Sequence, residues 1–169
     1  MKQTDNFKFD EANVMNELVY RNLSEDAKRQ ICAWKYGGEY DLYNLPAYEE
    51  MQVRQIGFMN PKSKKNYYGF WDESILVGFV NILEEKEEIF IGIGVNPDLC
   101  NKHYGQRMLL ITYEISKKLY PNKPLYLEVR TWNIRAVKCY QKAGFRIDGQ
   151  AYELTTGIGT GTFYRMIRE

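Results

Sequence analysis

The sequence predicts an α+β fold built on a mixed, mostly antiparallel twisted sheet that is flanked by helices. Three β-prone segments at 67–71, 75–83 and 89–95 are separated only by short polar turns, as is typical of consecutive antiparallel strands. After Pro97 the pattern changes to alternating helices and strands. The predicted order, β-α-α-β-β-β-α-β-α-β-β, combines an antiparallel first half with a second half whose strands are connected by helices.

The N-terminal third predicts one strand and two helices after a loosely ordered lead-in. Residues 1–16 are polar and lack a clear pattern, so we expect a single domain over 17–169, with its first strand at 18–20. Ser24 is a suitable N-cap for a helix that continues to about Trp34, where the following glycines end it. Pro46 is placed to begin a second helix, through residue 55.

The elements after residue 88 begin with an apolar run that contains two glycines, as expected of a buried central strand. The further predicted elements are a helix over 104–119, a strand over 125–129, a helix over 133–143 with Gly144 as its C-cap, and strands over 145–152 and 162–167. We expect the last of these to be an exposed edge strand, which would offer a route to a homodimer.

Composition and charge exclude several classes of protein. The 23 Lys and Arg residues balance 22 Asp and Glu residues, and no basic run is long enough to follow a phosphate backbone, so we expect no nucleic-acid partner. No apolar window approaches the ~20 residues of a membrane span, and the first ten residues do not resemble a signal peptide. We therefore expect a cytoplasmic protein without a membrane partner.

Cysteine and histidine content argues against a metal centre. The three cysteines are an odd number at wide spacing, which disfavours both a disulfide framework and a CxxC metal site. With His103 as the single histidine, a His-rich metal site or a Ser-His-Asp triad lacks the residues it needs.

A strand, a loop and a helix start between Val95 and Gln106 predict an anion-binding site. The first N–H groups of a helix have no partner within the helix, and the helix dipole adds positive potential there. Lys102 and Arg107 add charge nearby. The same arrangement occurs in many α/β proteins, so by itself it indicates only that a phosphate or pyrophosphate could bind.

The segment that follows is more specific. It contains a strand ending Leu127-Glu128-Val129-Arg130, then Asn133, Arg135-Ala136 and Tyr140, and finally Gly144-Phe145. In these residues the chain resembles the GNAT superfamily of N-acetyltransferases. Seven residues are close to two helical turns, so Asn133 and Tyr140 are expected on one helix face.

The resemblance implies acetyl-CoA as the acetyl donor, with no metal. It assigns backbone contacts with the pantetheine arm to the end of the central strand, pyrophosphate contacts to the loop and helix start, and a hydrogen bond to the cofactor to Asn133. Tyr140 would be the general acid that protonates the departing CoA thiolate. The implied cofactor-binding residues are Ile93, Gly94, Val95, Cys100, Asn101, Lys102, His103, Tyr104, Gly105, Gln106, Asn133 and Tyr140.

The phosphate loop departs from the family pattern. The family usually has Gln or Arg at the first position, Gly at the fourth, and Gly or Ala at the sixth, where this chain has Cys100, His103 and Gly105. Only Gly105 fits. A side chain at the fourth position restricts the backbone there, whereas glycine leaves it free.

The acceptor site implied by the resemblance lies in the N-terminal helices and the loop between them. Trp34, Tyr36 and Tyr40 are its candidate aromatic residues; Tyr43, Glu39 and Asp41 lie beside them. Such a set suits the cationic amine of a small molecule or a peptide. The same residues could equally anchor the helix to the sheet while the acids are solvated.

The sequence leaves the general base and part of the function open. Glu87 and Glu88 are candidates for the base, but the run from Glu84 to Glu88 is more simply a solvated turn. A covalent route through Cys100 or Cys139 is disfavoured because no histidine pair stands beside either one. The alternatives to a small-molecule N-acetyltransferase are a CoA-binding regulatory module without catalysis and a protein N-terminal or lysine acetyltransferase.

Overall fold

The computed structural model describes residues 18–169, so the predicted lead-in over 1–16, together with Glu17, lies outside the described residues. The strands are β1 (Leu18–Asn22), β2 (Tyr67–Asp72), β3 (Ile75–Glu84), β4 (Ile89–Val95), β5 (Leu125–Arg130), β6 (Arg146–Ile147), β7 (Tyr152–Thr156) and β8 (Gly159–Arg168). The α-helices are α1 (Glu25–Ala33), α2 (Tyr48–Arg54), α3 (Tyr104–Leu119) and α4 (Ile134–Lys142). A short 3-10 helix, Gly38–Tyr43, lies between α1 and α2.

Within residues 18–169, eight strands form one mixed sheet in the order β1-β2-β3-β4-β5-β8-β6, with β7 also paired to β8. The pairs from β1 to β4 are antiparallel, β4 and β5 are parallel, and β8 is antiparallel to its neighbours. This arrangement confirms the predicted α+β class with a mostly antiparallel sheet.

The parallel junction between β4 and β5 is short. Ile89 pairs with Leu125 and Phe90 with Tyr126, and the pairing stops there. On their outer sides both strands are paired along their length, β4 with β3 and β5 with β8. The two central strands therefore separate after Phe90 and leave a cleft between their C-terminal halves.

Helices cover both faces of the sheet. Neighbouring residues of a strand point to opposite faces, and Phe70 and Val80 belong to one buried cluster whereas Trp71 and Phe79 belong to another. The first cluster contains Met108 and Leu109 of α3 and Val137 of α4; the second contains Ile31 of α1 and Met51 of α2. Thus α3 and α4 pack on one face, and α1 and α2 on the other.

The C-terminal strands differ from the prediction. The segment expected as one strand over 145–152 forms the two-residue strand β6 and then leaves the sheet at Gly149, whose φ of 77° suits glycine. Tyr152 instead begins β7, which makes a hairpin with β8. The prediction of an exposed edge strand over 162–167 is wrong, because β8 is paired with β5 on one side and with β6 and β7 on the other. That route to a homodimer is therefore closed.

The helices agree with the prediction except at their ends. Ser24 caps α1 by accepting a hydrogen bond from the Ala27 N–H at 3.1 Å. Asn133, which was expected to be the first helical residue, is the N-cap of α4, and Gly144 follows the helix with a φ of 91°. No helix among the described residues is both long enough and apolar enough to span a membrane.

Candidate functional site

A cavity of about 610 Å³ lies where β4 and β5 separate. Its walls are the C-terminal halves of both strands, the loop and first turn that begin α3, one side of α4, and aromatic residues from the segment between α1 and α2. Most of the residues predicted to bind the cofactor line it. Those are Ile93, Gly94, Val95, Cys100, Asn101, His103, Tyr104, Gly105, Gln106, Asn133 and Tyr140.

One end of the cavity has the features of an anion site. The first residues of the 16-residue helix α3, Tyr104 to Gln106, line the cavity at the positive end of the helix dipole. A Cβ on Gly105 would lie 3.0 Å from the Cys139 Sγ and 3.4 Å from a Val95 methyl carbon. Glycine at 105 therefore allows the start of α3 to lie close to both α4 and β4.

The loop that leads into α3 holds two side-chain-bearing residues in the left-handed region. Asn101 has a φ of 62°, and His103, the N-cap residue, has a φ of 64°. This conformation costs an L-residue with a side chain roughly 1–2 kcal/mol, although Asn and His tolerate it better than most. The loop therefore does not change its path to avoid the left-handed conformation. His103 adopts that conformation even though it carries a side chain where the family usually has glycine.

Positive charge along α4 extends the anion site. Arg135, Lys138 and Lys142 line the cavity, whereas Lys102 is exposed outside its wall. The spacing of the first two residues by three, and of the last two by four, places them on one helix face. Lys102 was expected in the site because it lies in the loop, but α4 supplies the basic residues beside the start of α3, and Arg130 of β5 also lines the cavity.

Asn133 is placed between the anion end and the aromatic end. Its side chain is buried, accepts a hydrogen bond from the Ala136 N–H at 3.2 Å, and donates to the Tyr43 hydroxyl at 3.2 Å. The residue therefore caps α4 and also fixes the aromatic segment. It still lines the cavity beside Tyr140, as the spacing predicted.

Tyr140 lies on α4 and is packed against the main core. Burial raises the pKa of its hydroxyl, so the phenol stays protonated at neutral pH. Burial also raises the pKa of Tyr36, whose hydroxyl donates to the Val95 carbonyl oxygen at 2.6 Å. The carbonyl of Val95, expected to face a pantetheine arm, is thus already bound to Tyr36.

The two cysteines of the cavity are poor nucleophiles. Burial raises the pKa of Cys139 to about 11, and burial also raises the pKa of Cys100. Both side chains are therefore thiols and not thiolates at neutral pH, which also disfavours a covalent route through either cysteine.

The other end of the cavity is aromatic. Trp34, Tyr36 and Tyr43 line it together with Phe79 and Phe90. The third predicted acceptor residue, Tyr40, lies outside the wall. Its ring packs against Trp132 at 5.7 Å between centroids, and the Arg135 guanidinium lies 4.0 Å from the ring centre. Glu39 and Asp41 are also outside the wall, so they add no negative charge to the cavity.

Glu128 is the carboxylate that sequence analysis did not select. It lines the cavity from β5, and the Tyr152 hydroxyl donates to it at 2.8 Å. Its signal in the sequence was the alternation in β5: Leu127 and Val129 are buried in the core, so Glu128 must point to the opposite face. Glu87 and Glu88 precede β4, outside the cavity wall, and Glu88 forms an ion pair with Arg165.

Comparison with known proteins agrees with this architecture. A family model described as "Acetyltransferase (GNAT) family" matches residues 24–145, whereas no curated protein shows a significant match. The chain is similar to a spermidine N-acetyltransferase from Vibrio cholerae in complex with CoA and spermine (17% identity, 90% of this chain and 95% of that chain covered, TM-score 0.71). It is also similar to a GNAT-family acetyltransferase from Bacillus anthracis (18% identity, coverage 90% and 94%, TM-score 0.71).

A further similar structure is AAC(6')-Ib in complex with ribostamycin and coenzyme A, with 16% identity, coverage of 88% of this chain and 92% of that chain, and a TM-score of 0.66. At identities this low, the likeness shows a shared fold.

The left-handed backbone at His103 predicts a gain in stability on substitution by glycine. We expect His103→Gly to raise the free energy of unfolding by about 0.5–1 kcal/mol, because glycine adopts this conformation without a steric penalty. His103→Ala, which keeps a Cβ, should give no gain. Urea denaturation of both variants measures this, and a His103→Gly protein less stable than the parent would show that the histidine side chain makes a stabilising contact.

Asn133 both caps α4 and lines the cavity, so substitutions should separate its contribution to stability from any contribution to cofactor binding. Asn133→Ala should lower the free energy of unfolding by about 1 kcal/mol because it removes the helix cap, whereas Asn133→Ser keeps a capping oxygen and should cost much less. Both variants lose the amide N–H₂ group. If that group contacts the cofactor, calorimetric titration with acetyl-CoA should show both variants weakened alike. Weakening of the alanine variant alone would assign the effect to the cap.

Proposed function

The chain belongs to the GNAT acetyltransferase family, and on that premise we propose that it transfers an acetyl group from acetyl-CoA to a primary amine of a small molecule or peptide. The transfer is by direct attack of the amine within a ternary complex. The observation that carries this proposal is that one continuous cavity between β4 and β5 joins a helix start suited to an anion to an aromatic end, with Glu128 and Tyr140 both in its wall. One end suits a phosphorylated donor and the other an amine.

The residues present fit acetyl-CoA. The start of α3 and the basic side of α4 supply N–H groups and cations for its phosphates. The half of β4 that is not paired with β5 supplies backbone groups along the cleft, apart from the Val95 carbonyl, which Tyr36 already binds. Asn133 and the segment from Cys100 to Gln106 complete the proposed cofactor site, with Lys102 outside it. When bound, acetyl-CoA supplies an activated thioester carbonyl.

Glu128 is the proposed general base. An alkylammonium with a pKa near ~10 must lose a proton before its nitrogen can attack, and a carboxylate in the cavity wall can accept that proton. The Tyr152 hydroxyl holds the carboxylate in place; burial and the hydrogen bond to Glu128 raise the pKa of Tyr152 to about 12, so this donor keeps its proton at neutral pH.

Tyr140 is the proposed general acid. Its buried hydroxyl remains protonated, which is the form needed to give a proton to the sulfur of CoA as the carbon–sulfur bond breaks. The acetyl group moves from sulfur to nitrogen, and the ammonium nitrogen loses two protons in all. Glu128 accepts the first and passes it to solvent before the attack, then accepts the second as the carbon–nitrogen bond forms, while Tyr140 gives one proton to sulfur, so one proton is released to solvent overall. Exchange with solvent restores both side chains.

The decisive experiment measures acetyl transfer from acetyl-CoA to a panel of primary amines, alongside calorimetry with acetyl-CoA. Transfer to any member supports the enzyme. Binding of acetyl-CoA without transfer to any amine would favour the CoA-binding module, for which the constrained backbone at His103 is the motivating observation.

Tyr140→Phe should lower kcat by about 100-fold and leave acetyl-CoA affinity nearly unchanged, because the lost hydroxyl acts on the leaving sulfur and not on binding. Tyr113→Phe is the matched control, since the Tyr113 hydroxyl bonds the exposed carbonyl of Glu169. Steady-state kinetics and calorimetry give the two quantities. An unchanged kcat for Tyr140→Phe would remove this residue from the mechanism.

Glu128→Gln should lower kcat by about 100-fold or more at neutral pH, because the amide cannot accept the amine proton. Part of the activity should return as pH rises toward the pKa of the acceptor amine, where the free base is already abundant. Glu153→Gln, at an exposed position of β7, should behave as the parent. The rate measured against pH for the three proteins tests this, and equal profiles for Glu128→Gln and the parent would rule out the base.

A further inference from the structure

Arg130 is a buried cation in the wall of the cavity. The residue lies at the end of β5, and only 7% of its surface is exposed. Among residues 18–169 no carboxylate forms an ion pair with it, although seven other ion pairs are present in that part of the chain. A buried charge without a counter-ion is unfavourable, which makes this position unusual.

The guanidinium is also poorly hydrogen-bonded. Within the described part of the chain, one of its five N–H donors is used: Nη2 donates to the Gly159 carbonyl oxygen at 3.3 Å. Its Nε is buried and has no hydrogen-bond partner among residues 18–169. The guanidinium thus has N–H donors left that can bind an anion.

The strand beside it is shaped to hold the guanidinium. A Cβ on Gly161 would lie 1.9 Å from Nη1, so glycine at that point of β8 lets the guanidinium lie directly against the strand in its present position. The ring of Phe163, also on β8, lies 4.9 Å from the guanidinium carbon. These contacts hold the guanidinium against β8; such a planar group can bind a carboxylate through two parallel hydrogen bonds.

Arg130 and Glu128 point to the same face of β5. They are two residues apart in one strand. Leu127, just before them, and Val129, between them, point to the other face and are packed in the core with α3 and α4. The cations assigned to the donor phosphates lie on α4. Arg130 is therefore grouped with the proposed base and not with the phosphate site.

We propose that the acceptor is a primary amine that also carries a carboxylate, such as an amino acid, and that Arg130 binds this carboxylate. The inference rests on the proposed function, in which Glu128 receives the amine. Side by side, the two residues present opposite charges to a zwitterion. A polyamine would instead place a second ammonium group against Arg130, with Glu39 and Asp41 outside the cavity and unable to compensate.

The test compares matched acceptors in the parent protein: phenylalanine, its amide and phenethylamine, and leucine, its amide and isoamylamine. With saturating acetyl-CoA, each amino acid should have a kcat/KM at least about 10-fold above its amide and its decarboxylated amine, as expected for loss of a hydrogen-bonded charge pair. Spermidine should be a poor acceptor. This arm needs no variant, so it does not depend on how Arg130→Gln folds.

Arg130→Gln then tests the residue. Its KM for the amino acids should rise by about 10- to 100-fold, while kcat/KM for the decarboxylated amines and the affinity for acetyl-CoA stay near parental values. Arg130→Lys, which keeps the charge without the fork, should lie between them. Arg146→Gln, at an exposed arginine of β6, is the matched control.

Other outcomes separate the two proposals. Equal or faster transfer to the decarboxylated amines overturns the carboxylate assignment but supports the acetyltransferase. A loss of acetyl-CoA affinity in Arg130→Gln has the same two consequences, because it would place Arg130 at a donor phosphate. If no amine is acetylated, binding of the amino acids to the CoA-saturated protein decides: binding that Arg130→Gln abolishes upholds the carboxylate site, and absence of binding overturns it.

Discussion

The separation of β4 from β5 is the constraint on which the rest of the site depends. Each strand is held on its outer side by a full antiparallel ladder, to β3 and to β8, while two residue pairs join the strands to each other. A continuous ladder would bring the two strands to hydrogen-bonding distance along their length and use the backbone groups of residues 91–95. Because the outer ladders fix both strands, the cleft is part of a rigid sheet and needs no ligand to hold it open.

Packing on the two faces gives the cleft its two chemically different ends. The start of α3 approaches β4 closely because Gly105 has no side chain between Val95 and Cys139. On the opposite face, a Cβ on Gly94 would lie 2.4 Å from the Phe79 ring, so glycine there lets the aromatic wall pack directly on the strand. Small residues at two points thus bring a helix terminus and an aromatic surface to the same opening.

Three tyrosines connect the cavity to its surroundings through hydrogen bonds. Tyr36 binds the carbonyl of Val95, Tyr43 binds the amide of Asn133, and Tyr152 binds the carboxylate of Glu128. The first two join the segment between α1 and α2 to the cavity wall, and the third joins β7 to it. Such bonds orient polar groups that would otherwise move between rotamers, and they give structural roles to three of the 14 tyrosines of the chain.

The sequence by itself determined the α+β class, the order of most elements, and most of the residues that line the cavity around the start of α3 and along α4, because hydrophobic periodicity, caps and the Asn133 to Phe145 pattern are local signals. Tertiary structure alone decided that β8 is an interior strand, that Tyr40 and Lys102 lie outside the cavity, and that Glu128 and Arg130 line it. These facts depend on strand pairing and on packing between distant segments. A side chain's neighbours across a sheet are set by register, which no local pattern records.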